Sequence, residues 1–137
     1  MERTDRERFQ VMLANIALDA PGDLWFAVDD DTRDKENGTG LICDLLEDGN
    51  PFHRVTHLTM RSGVSVLTRS AMGTWHNPFT GDDEDHLLTA DGLRLYMSPE
   101  DRARILAAYK KMRIDEITSD DALAILECAL FGQVVYR

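Results

Sequence analysis

The chain has 137 residues, with 25 Asp and Glu against 15 Lys and Arg and a formal net charge of −10. Its hydrophobic content of 43% is ordinary for a globular protein and too high for a disordered one. That charge repels nucleic-acid phosphates and anionic membranes, the length suits one domain over residues 1–137, and no apolar run approaches the ~20 residues of a membrane span.

A helix is expected from Thr4 to Leu18, where Thr4 and Glu7 have capping-box spacing and Phe9, Met12, Leu13, Ile16 and Ala17 recur at helical intervals. Turn chemistry at Asp19-Ala20-Pro21-Gly22-Asp23 ends it, and Leu24 to Val28, with Trp25 and Phe26, reads as a core strand. Asp29 to Gly40 is a polar loop. Leu41 to Leu46 suits either a strand or a short helix, and Glu47 to Pro51 is a turn.

From Gly49 to Gly81 there is no Asp or Glu, and Arg54, Arg61, Arg69, His53, His57 and His76 all lie there. Arg54–Met60 and Val64–Arg69 are rich in β-formers, and Ser62-Gly63 suggests a hairpin turn that would set Leu58 opposite Leu67. In that register neither face is cleanly polar, so the acid-free segment reads as sheet interior. Gly73 to Asp85 then reads as a long polar connection. A second hairpin is expected from His86–Ala90 and Leu93–Met97 around Asp91-Gly92, with Leu88, Ala90, Leu93, Leu95 and Met97 facing the core.

The last third is helical. Ser98 caps a helix with Pro99 in its first turn, which points Ile105, Leu106, Tyr109 and Met112 inward. A final helix starts near Thr118 or Ser119 and stops at Gly132, with a short strand expected at Val134-Val135-Tyr136. The fold class expected is α+β. Two hairpins and an N-proximal strand form a mainly antiparallel sheet, packed by an N-terminal helix and two C-terminal helices.

Cys43 and Cys128 lie singly in apolar segments and read as buried free thiols. With a charged N-terminal segment leading straight into a helix, they point to a cytoplasmic protein. No catalytic residue, metal ligand or cofactor is assigned. Asp29 to Gly38 fails the EF-hand test, because counting back from Gly38 puts Arg33 and Lys35 at ligand positions. His57-Leu58-Thr59 lacks the second His-x-Thr that two-histidine phosphoesterases need.

Three functional readings remain. The first is a non-catalytic acidic binding protein, an inhibitor or nucleic-acid mimic, whose protein partner has a basic or nucleic-acid-binding surface. Its contacts would be Asp29, Asp30, Asp31, Asp34 and Glu36 with Asp82, Asp83, Glu84 and Asp85. The second is a metal-assisted hydrolase built on His76, Asp82–Asp85 and His86. The third is a weak nucleic-acid binder using Arg54, Arg61 and Arg69 on the expected hairpin.

Overall fold

The fold comes from a computed structural model that describes residues 2–20 and 24–134. The expected strand at Val134-Val135-Tyr136 therefore lies largely outside the described residues, as does the middle of the turn after the first helix.

Helix α1, Asp5–Leu18, begins where the Thr4 hydroxyl accepts the N–H of Glu7. It buries Phe9, Val11, Leu13, Ala14, Ala17 and Leu18. Met12, expected inside, is 41% exposed, because the buried arc is rotated toward Val11 and Ala14. Strands β1 (Phe26–Val28), β2 (Gly40–Asp44) and β3 (Phe52–Val55) form an antiparallel sheet in sequence order, which settles the Leu41–Leu46 ambiguity in favour of strand. Pairing sets Phe26 against Asp44 and Ile42 against both Val28 and His53. Strand alternation puts Phe26, Ile42, Asp44, His53 and Val55 on one face, toward the core.

The expected first hairpin is absent. After β3 the chain enters helix α2, His57–Arg69. Thr56 is its N-cap, and a reciprocal capping box joins Thr56 and Thr59. Met60, Gly63, Val64 and Leu67 are its buried residues, a helical i, i+3, i+4, i+7 stripe. Leu58 does not face Leu67; it is exposed. Gly63 is no turn residue either. It lies where α2 crosses helix α4 (Ser119–Phe131), and a Cβ there would stand 2.0 Å from the Ile125 carbonyl oxygen. The middle of the acid-free segment is thus a helix packed between α1 and α4, flanked by β3 and by the strand that follows, and not the expected hairpin of a sheet interior.

The main hairpin joins β4 (Ala71–His76) to β5 (Asp83–Leu88) and takes in the whole of Gly73–Asp85, which reads as a polar connection. Gly92 does occupy a turn at φ 84°, but Leu88 bridges Arg94 and the Leu95 N–H donates to Leu87. This is one residue off the expected register, and a one-residue slip exchanges the faces of a strand. Leu87, Thr89 and Leu95 are buried, whereas Ala90 and Leu93 are exposed.

Helix α3, Pro99–Lys111, follows its Ser98 cap and buries Ile105 and Ala108. Met112 ends it in the left-handed conformation and is 41% exposed, not inward. Thr118 and Asp121 form the capping box of α4, and Gly132 closes that helix at φ 71°. Buried side chains from all four helices and from β1, β2, β3 and β5 join one apolar core, giving an α+β arrangement of helices against antiparallel sheet.

Candidate functional site

Asp82, Asp83 and Asp85, nominated by the sequence, lie exposed on the β4–β5 hairpin, with Glu84 half-buried between them. β4 has no buried residue and β5 has only Leu87, so the ribbon stands off the body as an arm. Isolated two-stranded ribbons are marginal in water, and this one carries its own stabilisation. The Trp75 and His86 rings meet edge to face at 5.6 Å, and the Arg94 guanidinium lies 4.7 Å above Trp75 and 4.4 Å above Tyr96. At the base of the arm, Arg102 donates from Nε to the Leu67 carbonyl and the Ser70 hydroxyl, and from a terminal nitrogen to the Ser70 carbonyl. That clamp satisfies carbonyls at the C-terminus of α2 and fixes the point where β4 departs.

The tip is tightly organised. Asn77 Oδ1 accepts the N–H groups of Phe79 and Thr80, and backbone bonds Gly81 N to Asn77 O and Asn77 N to Asp82 O close the loop. Phe79, which this loop presents, is 94% exposed. An aromatic ring held open to solvent on an ordered turn is the arm's principal chemical feature.

The acidic run divides by strand alternation. Glu84 is engaged internally: its carboxylate accepts from Asn77 Nδ2 at 3.0 Å and contacts His86 Nε2 at 2.7 Å. The Asn77 bond first, and His86 second, hold its carboxyl below the usual range. Asp83 contacts His76 at 3.1 Å on the exposed surface. Asp82 and Asp85 are exposed, with no ion pair among the described residues.

The first acidic block is partly structural. Asp29 caps the 3-10 turn Asp30–Thr32 by accepting the Asp31 N–H. Asp34 accepts from Asn37 Nδ2 and from the N–H groups of Glu36 and Asn37, and the Asn37 side chain chiefly holds its carboxyl low. Asp30, Asp31 and Glu36 are left facing solvent. Asp34 and Asn37 lie beside Thr56 and His57, at the N-terminus of α2, while the arm leaves its C-terminus. The 13-residue helix between them is about 20 Å long, so the two blocks are separate surfaces.

Two other nominated constellations come apart. His76 pairs with Asp83 and His86 pairs with Gly73, an odd offset that places the two histidines on opposite faces of the ribbon. One ion cannot lie between them. Arg54 is on β3 while Arg61 and Arg69 are on α2, so no hairpin carries the three. Arg61 and Arg69 are also separated by about 12 Å of helix rise.

The structure does bring together three residues absent from the sequence-based nominations. Asp44, Glu47 and His53 each offer a ligand atom, and these atoms lie within 4.8 Å of one another. Asp44 ends β2 on the core face, and its carboxylate accepts the N–H groups of Leu46 and Glu47, which folds the following turn. His53 is its diagonal neighbour on β3 and meets the Phe131 ring edge-on at 6.0 Å. The legible signal was an acid on the inner side of a strand, visible only once β2 is taken as strand.

No described helix is long and apolar enough to cross a membrane. Comparison with protein-family models, curated proteins and solved structures finds no match.

Proposed function

We propose that this is an acidic binding protein that acts without catalysis, docking its β4–β5 arm on the basic surface of a protein partner. The observation that carries the reading is Phe79, 94% exposed on a hydrogen-bonded turn beside Asp82, Asp83 and Asp85. Binding energy in interfaces concentrates in a few large side chains that enter pockets, and an ordered loop loses little entropy on docking. Carboxylates around such an anchor accelerate encounter with a basic surface and reject acidic ones. Asp30, Asp31 and Glu36 form a second acidic surface for a large partner, at the other end of α2.

The narrower form of the reading makes the partner a nucleic-acid-binding protein, whose phosphate-binding surface is basic by necessity, and makes the arm its inhibitor. The test is comparative capture. Wild-type protein, Phe79→Ser and a form with Asp82, Asp83 and Asp85 changed to Asn are immobilised and exposed to the same lysate. The expected result is a partner retained by wild type, reduced with both variants, released by salt and displaced by duplex DNA. Retention unchanged in both variants overturns arm docking; salt release without displacement by DNA removes the nucleic-acid-mimic form.

A further inference from the structure

We propose that Asp44, Glu47 and His53 bind a single divalent cation of the zinc type. The three come from separate pieces of local structure. Asp44 is the last residue of β2, Glu47 belongs to the turn that the Asp44 carboxylate organises, and His53 comes from β3 on the return strand. Antiparallel pairing of Ile42 with His53 makes His53 the diagonal neighbour of Asp44 on the inner face. The fold therefore assembles the donor set without any one residue depending on a long flexible reach.

The distances suit an ion. Donors that each sit about 2.1 Å from a tetrahedral zinc are about 3.4 Å apart. Donor atoms already within 4.8 Å of one another need to close by no more than about 1.4 Å, a movement that a rotation of the exposed Glu47 side chain supplies. Imidazole nitrogen with two carboxylate oxygens is a donor set that zinc and its borderline neighbours accept. Three protein ligands leave a fourth position for water or for an oxygen donor from another molecule.

A second observation points the same way. His53 Nε2 is buried with no hydrogen-bond partner among the described residues. Buried polar atoms are normally satisfied, and an orphan ring nitrogen on a residue of this cluster calls for an electrophile or a donor. Asp44 is fully buried while Glu47 is exposed, so the cluster has a closed inner wall and an open outer one through which an ion enters. Bound there, the ion would tie the β2–β3 turn to the sheet's core face beside Phe131.

The site lies at the end of β3 remote from α2, and its test is independent of arm docking. Chelator-treated full-length protein is titrated with Zn²⁺ by calorimetry, alongside Glu47→Gln and His53→Asn. The other imidazoles serve as internal controls in ¹⁵N-edited NMR. The expected result is one equivalent bound by wild type, a higher Tm with zinc, and affinity at least about tenfold weaker in each variant. Only the His53 ring nitrogens should shift at the first equivalent, with those of His57, His76 and His86 unmoved. Glu47 is an exposed turn residue, so its variant keeps the fold and isolates ligation. Absence of stoichiometric binding, or affinity undiminished in either variant, overturns the site and leaves an ordinary hydration position at His53.

Discussion

Asp121 stands at the third position of α4 with its carboxylate 2.7 Å from the Arg104 guanidinium and 3.0 Å from the Thr118 N–H. Burial pushes its carboxyl up, but the Arg104 bonds and the Thr118 N–H together outweigh burial and hold it below the usual carboxylate range. A carboxyl held low in the folded state adds stability in full above about pH 4, the value expected unfolded. That stability is lost as pH falls further, through the folded value. Arg104 is 43% exposed, so solvent screens the pair and much of the benefit resides in the cap. Asp121→Asn is expected to lower stability by about 1–2 kcal/mol at neutral pH. It should also flatten the decline of stability below about pH 4. Urea unfolding at pH 7 and at successively lower pH measures both.

Gly63 sets how closely α2 and α4 pack. In an exposed helix interior, Gly→Ala stabilises by about 1 kcal/mol. Here the added methyl would meet the Ile125 carbonyl oxygen at 2.0 Å and its Cγ2 at 2.8 Å, backbone and core atoms that cannot retreat freely. Gly63→Ala is therefore expected to destabilise by about 2–3 kcal/mol, reversing the usual sign, as seen in the denaturant midpoint. A small gain in stability would mean that α2 does not cross α4 at this residue. The arm presents the opposite case: Phe79 touches little, so Phe79→Ser should leave stability within about 0.5 kcal/mol.

These elements also explain which parts of the fold were legible in the sequence. α1, α3 and α4 announce themselves through Thr4, Ser98 and Thr118, residues whose side chains cap the first turn whatever the tertiary context. α2 is disguised. Val64, Val66, Thr56 and Thr59 favour strands in isolation, and Ser62-Gly63 resembles a turn, but burial against α1 and α4 overrides those local preferences. The arm is hidden for a different reason. Hydrophobic alternation reports a buried face, and β4 and β5 bury only Leu87 between them, so the strands carry almost no pattern to read. The Asp44, Glu47 and His53 cluster depends on cross-strand register, which no local spacing encodes.

At the scale of the whole molecule, a core of helices on a small sheet carries an arm whose faces are open to solvent and whose tip bears an aromatic ring. In the docking proposed above, the net charge of −10 would give long-range attraction to a basic partner and the arm would supply the short-range contact. These two contributions separate kinetically. Charged rims chiefly set association rates and their dependence on salt, whereas a buried anchor chiefly sets dissociation. The most direct measurement is surface-based kinetics of the captured partner over a range of ionic strength. Changing Asp82, Asp83 and Asp85 to Asn should slow association at low salt and flatten its salt dependence. Phe79→Ser should leave association nearly unchanged and speed dissociation about tenfold or more. Association and dissociation that are the same for wild type and both variants would contradict docking through the arm.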